Sequence, residues 1–236
     1  MRCELEDALK KLEQINRCKV SEQDVTNAIL LYNRYRQTMR EFAERAARHT
    51  DIITPAVRHS VFQTGFYRDK ADYLRTVQEL TAQLELFPQT KGRHPIALTG
   101  IALDVPRVLE AMEQNGLSVA ADTLAQEYGQ AAFPVPDGDD GLTRLAAWWG
   151  QVRCSSLAAD PRKERVEYMV RLVREGRAQG VIVSAPSFCD PEEYDEPIFH
   201  SAFQAAGIPQ LYLELNDAPS AEQAAARVQG FAEMLP

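Results

Sequence analysis

The sequence predicts an α/β fold: a four-stranded parallel sheet with helices on both faces, preceded by an all-helical segment. Three observations carry that expectation. From residue 93 onward, short apolar runs alternate with amphipathic stretches, the pattern of a parallel sheet closed by crossover helices. Before residue 93, apolar residues recur at steps of three and four, the period of a helix. The charge divides at the same place: residues 1–92 hold 15 Lys and Arg against 13 Asp and Glu, and residues 93–236 hold 11 against 21. Gly92-Arg93-His94-Pro95 is therefore read as a boundary between a helical linker or docking segment, 1–92, and an α/β domain, 93–236.

Each helix of the first segment has a local reason. Leu5, Ala8, Leu12 and Ile15 share one face of a helix over 4–16. Ser21 and Asp24 stand at capping-box spacing, with Asp in place of the usual Glu. The stripe Val25, Ala28, Ile29, Tyr32, Tyr35, Met39, Phe42, Ala43 and Ala46 then predicts a long helix. Arg34, Arg36, Arg40 and Glu44 fall mostly off that stripe. Thr54-Pro55 reads as an N-cap with Pro in the first helical position, opening a helix over 55–65. Asp69 caps another over 70–86, stopped by Phe87-Pro88.

The second part alternates. Ile96 to Leu103 is an apolar run without helical period, a buried strand. Asp104 is expected to cap a helix over 105–115, with Gly116 as its stop. Leu117 to Ala121 is the second strand. Residues 122–140, rich in Pro, Gly and Asp, read as a long acidic loop. Helices follow over 142–151 and from an Asp160-Pro161 cap to about Arg177. Gly180 to Ala185 is the third strand. Asp190-Pro191-Glu192-Glu193 reads as N-cap, Pro at N1 and Glu at N3. Gln210 to Leu215 is the fourth strand, and Ser220 is expected to cap the last helix. The default strand order for such a unit is 2-1-3-4, flavodoxin-like, with ligands at the carboxyl ends of the strands. Four places fall there: Thr99 to Asp104, the loop after Ala121, Pro186 to Asp190, and Asn216 to Ser220.

Composition excludes several classes. The 236 residues carry a net charge of −8 and 45% apolar residues, ordinary values for a globular protein. No run approaches the roughly 18 apolar residues of a membrane span. The charged start Met1 to Asp7 does not read as a signal peptide, so a cytoplasmic protein is expected. An acidic α/β half argues against nucleic acid as ligand, because phosphate neutralisation needs clustered Lys and Arg. Four scattered cysteines make no disulfide framework.

Cys189 is the foremost candidate residue. It lies at the carboxyl end of the third strand, at a helix start, where unpaired N–H groups and the positive dipole end favour a thiolate. Such a thiolate is suited to act as a nucleophile or a metal ligand; an inert, partly buried cysteine is the plain alternative. Cys154, between two helices, is the second candidate. Cys3 and Cys18 belong to the helical segment and read as inert. Glu192, Glu193, Asp195 and Glu196 read as complementing the helix dipole rather than as an acid/base pair. No Gly-rich phosphate loop, zinc-ligand spacing of histidines or G-x-S-x-G elbow is present.

Gly180 through Pro191, with Phe188-Cys189-Asp190-Pro191 at its end, resembles the C-terminal part of the 2-hydroxyacyl-CoA dehydratase family, which includes the benzoyl-CoA reductase subunits. Glu196-Pro197, Ala206 to Glu214 and, before them, Arg153-Cys154 through Arg165 and Val170 to Gly180 extend the likeness. Lys19 to Val25 with Tyr32 to Arg36 resembles the family's linker helix, and Pro95 to Gly100 the opening of its second α/β domain.

The resemblance implies an iron-sulfur subunit, or split half, of an enzyme that dehydrates or reduces an acyl-CoA by radical chemistry. It implies a [4Fe-4S] cluster held by three cysteines and an electron from a separate ATP-dependent activator. Cys189 matches the family's cysteine after the third strand, and Cys154 is its candidate companion. A full family subunit begins with another α/β domain that supplies further cysteines, while this chain begins at the linker helices. A partner chain, either a second dehydratase-type subunit or the missing N-terminal half, is therefore expected. The other reading is a non-catalytic relative that binds or scaffolds without a cluster.

Overall fold

The computed structural model describes residues 1–152, 155, 158, 160–215 and 218–236, with the backbone alone for 218–220. Four helices come first: α1 (Arg2–Asn16), α2 (Glu22–Ala46), α3 (Pro55–Tyr67) and α4 (Lys70–Leu84). Then follow β1 (His94–Gly100), α5 (Pro106–Gln114), β2 (Leu117–Asp122), α6 (Tyr128–Ala131), α7 (Gly141–Trp149) and α8 (Glu164–Glu175). The chain closes with β3 (Gly180–Pro186), α9 (Asp190–Ala206), β4 (Gln210–Leu215) and α10 (Ala218–Met234). The strands are parallel in the order β2-β1-β3-β4, as the sequence predicts.

Period-two alternation sorts the strand side chains between two layers. Ile96, Leu98, Ile182, Leu211 and Leu213 pack with Leu109 and Met112 of α5 and Val228 and Phe231 of α10. Ala97, Val181 and Val183 face the other way, onto Val166 and Met169 of α8 and Phe199 and Phe203 of α9. Burying each such side chain contributes roughly 1.5–3 kcal/mol relative to exposure. A third core lies among the helices, where Met39 and Phe42 of α2 meet Phe62 of α3 and Val77 and Leu84 of α4. α3 also rests on α5 and β2, α2 on α6 and α7, and α1 on α7. Among the described residues no helix is long and apolar enough to cross a membrane.

Several caps form as expected. Ser21 Oγ accepts from the Asp24 N–H while the Asp24 carboxylate accepts from the Ser21 N–H, a complete capping box. Thr54 and Asp69 cap α3 and α4 with their side chains, and Gly207 ends α9 in the left-handed conformation; Asp140, read as part of the acidic loop, caps α7. Other caps differ. β1 stops at Gly100, whose φ of 122° leaves the extended path. Asp104 caps nothing: Val105 is the N-cap of α5, without a side-chain bond, and Pro106 opens the helix. α8 begins only at Glu164, though Asp160 still accepts from the N–H groups of Glu164 and Arg165. α10 begins at Ala218, so Ser220 lies inside the helix rather than before it. The cap of α9 is Cys189 itself, not Asp190. Phe188 takes a φ of 60°, which turns the chain into the helix one residue earlier.

Candidate functional site

The carboxyl ends of the strands gather three of the four expected segments, and Asn216 of the fourth lies outside the described residues. β1 and β3 approach here without a spacer. A Cβ on Gly100 would stand 1.8 Å from the Ser184 carbonyl oxygen, so only glycine fits. The Ser184 hydroxyl donates to the Ala102 carbonyl, and the Ser187 hydroxyl to the Glu214 carboxylate. These contacts tie the ends of β1, β3 and β4 together.

Cys189 sits at this edge, half-buried. Its N–H donates to the Pro186 carbonyl at 3.3 Å, and its carbonyl accepts from Glu192 at 2.9 Å and Glu193 at 3.0 Å. The backbone around the thiol is thus fixed by both strand end and helix start. The helix it caps is held in turn by Arg165 of α8. That guanidinium grips Glu192 with two bonds, 3.1 and 2.6 Å, and lies 3.3 Å from Asp195. It stacks 4.7 Å from the Phe199 ring centre. Lys163 adds a second cation to Asp195. Glu192 and Asp195 are therefore buried ion-pair partners, and Glu192 also stands with Asp190 and Glu193 in the acidic first turn of α9. Bidentate geometry and matched charge are what make such burial tolerable.

A second buried ion cluster stands at the end of β2. Arg58 of α3 reaches Asp122 through one nitrogen and Glu127 through another. Asp122 also accepts from the Leu124 N–H at 3.0 Å and the Tyr128 N–H at 3.2 Å. His59 Nδ1 lies 2.9 Å from the other Glu127 oxygen. Burial pushes the Asp122 carboxyl up to about 6, with Arg58 pulling against it and Glu127 adding to it. Burial also draws the Arg58 guanidinium down, but the two carboxylates outweigh it and hold it above its ordinary value. Nothing in the sequence singles these residues out, because the partners are 64 and 69 positions apart.

The other cysteines are placed elsewhere or not at all. Cys3 and Cys18 are exposed, on and just after α1. Cys154 lies outside the described residues. Among the described residues, no three of His, Cys, Asp and Glu come together as a metal-binding group. A three-cysteine cluster therefore does not fit the described residues alone: they bring one sulfur to the carboxyl edge.

The frame is that of a doubly wound α/β chain whose candidate chemistry collects at one sheet edge, with a helical layer locked onto it. Residues 1–235 match the family described as "2-hydroxyglutaryl-CoA dehydratase, D-component", and the chain belongs to that family. It is 32% identical over 229 residues to the (R)-phenyllactyl-CoA dehydratase beta subunit of Clostridium sporogenes, covering 96% of this chain and 61% of the relative. It is 33% identical over 228 residues to the beta subunit of lactoyl-CoA dehydratase from Anaerotignum propionicum, covering 95% and 61%. A benzoyl-CoA reductase subunit from Thauera aromatica is more distant, 20% identical over 213 residues, covering 88% and 55%. The chain thus spans about three fifths of the length of the dehydratase relatives it matches.

Proposed function

We propose that this chain is a subunit, or part of one, of a cytoplasmic 2-hydroxyacyl-CoA dehydratase-like enzyme, and that Cys189 contributes one thiolate to a [4Fe-4S] cluster. The observation that carries the reading is Cys189 itself: in a chain of this family, it is the N-cap of α9 at the carboxyl edge of β3. A thiolate is the ligand such clusters take. The remaining ligands come from Cys154 and from protein beyond these residues, in a partner chain or a preceding domain. An ATP-dependent activator supplies the electron, and an acyl-CoA is the substrate. What the described residues do themselves is positional. Arg165 and Lys163 hold the first turns of α9, and the Pro186 carbonyl holds the Cys189 backbone.

The division at residue 92 belongs to the same proposal, with 1–92 as a docking segment. On α1, Leu12 is 53% and Ile15 76% exposed, an apolar face suited to a partner. Anaerobic reconstitution with iron and sulfide tests the reading, on the chain alone and co-purified with candidate partner chains. Iron should bind in at least one combination, and Cys189→Ala should abolish it. Iron-free protein in every combination would instead support a non-catalytic relative.

A further inference from the structure

The segment after β2 forms one wall of a cavity that the cluster proposal does not use. Ala125 donates to the Gly100 carbonyl and Gln126 to the Ile101 carbonyl, so this wall starts at the carboxyl ends of β1 and β2, where parallel sheets take ligands. The cavity measures about 300 Å³, within the range of small-molecule pockets. Its lining is aromatic: Tyr32 and Tyr35 of α2, Phe66 of α3, and Trp148 and Trp149 of α7.

Among the described residues two cations line it, Arg36 and Lys70. The Arg36 guanidinium stands 4.6 Å from the Trp148 ring centre, and Lys70 Nζ 5.0 Å from that of Tyr35. Among the described residues their hydrogen bonds go to neutral oxygens. Arg36 donates to the Gln130 carbonyl and the Asn33 amide oxygen, and Lys70 to the Gly65 carbonyl. Among the described residues no carboxylate forms an ion pair with either. Burial lowers both cations from their ordinary values, with Asp69 opposing it at Lys70. Elsewhere the buried arginines Arg58 and Arg165 each have two carboxylates. Two cations held by π-faces and carbonyls, open to a cavity, leave room for a negative charge from outside.

We propose that this cavity binds a planar conjugated ring carrying a negative charge, with the ring against the aromatic walls and the charge met by Arg36 and Lys70. Two sources present that chemistry: the nucleotide end of a CoA thioester, and an aromatic carboxylic acid. The nucleotide source rests on the acyl-CoA reading above; the charge and ring preference of the cavity does not.

Both tryptophans of the chain line this cavity, so intrinsic fluorescence reads its occupancy directly. The full chain, iron-free, is titrated with adenosine bisphosphate and with phenyllactate, exciting where neither absorbs. At least one should give a saturable change in emission. Its neutral counterpart, adenosine or phenyllactamide, should bind about tenfold more weakly, as should Lys70→Met with the anion. Lys70→Arg, which keeps the charge, should retain binding. Circular dichroism confirms that each variant is folded. Unchanged emission with both anions, or equal affinity for anion and neutral counterpart, overturns the proposal. Because no iron enters this titration, its failure and that of the cluster reading are separate results.

Discussion

Arg58 and Arg165 are both almost fully buried, and each answers two carboxylates, yet they hold different parts of the molecule. Arg58 spans layers: it rises from α3 and neutralises Asp122 and Glu127 beyond the end of β2. Arg165 joins neighbours within one layer, gripping Glu192 and Asp195 on the adjacent α9. Lys163 shares the load at Asp195, whereas at the Arg58 cluster the second basic group is a histidine, His59. The difference separates two jobs done by one chemistry. One cluster joins the helical layer to the sheet. The other orients the helix that Cys189 caps.

Arg58→Met breaks the comparison most severely. It leaves two buried carboxylates without their cation, and an uncompensated buried charge costs about 5 kcal/mol at the upper end of such changes. Urea unfolding monitored by circular dichroism reads this loss, and a cost below about 1 kcal/mol would show that the layers are held by apolar packing instead. Arg165→Met should cost less, about 3 kcal/mol, because Lys163 still meets Asp195. Its sharper consequence is local. At matched folded fraction, iron loading in the complex should fall in Arg165→Met and persist in Arg58→Met. Equal loading in both would remove the orienting role of Arg165.

The smallest effect is in pH. Asp122 has its folded-state carboxyl raised to about 6 from an ordinary value of 3.8. The protonated form is favoured on folding, so its stabilisation is fully present below about pH 4 and is lost as pH rises through about 6. The unfolding free energy of the wild type minus that of Asp122→Asn should therefore fall by roughly 3 kcal/mol across that window. A flat difference would mean that Arg58 keeps Asp122 ionised throughout.

The architecture was legible because its signals are local. Apolar runs such as Val181-Ile182-Val183 and caps such as Ser21, Thr54 and Asp69 need only their neighbours. Caps failed where backbone geometry moved the helix start. Asp190 looks like the better N-cap by side chain, but the positive φ of Phe188 gives the position to Cys189. The place of Cys189 at the sheet edge was readable, since strand, loop and helix follow in sequence. The ion clusters and the aromatic cavity were not. Tyr32 and Tyr35 read as core stripe and Arg36 as outside it, yet Arg36 is buried against Trp148, more than a hundred positions away. Such contacts exist only once the layers are assembled.

Gly100 marks how this edge is free to diversify. At Gly100 the neighbouring strand's carbonyl occupies the space a side chain would need. New ligand preferences in this scaffold must therefore be reached by sequence paths that leave that position untouched, with innovation displaced to its borders.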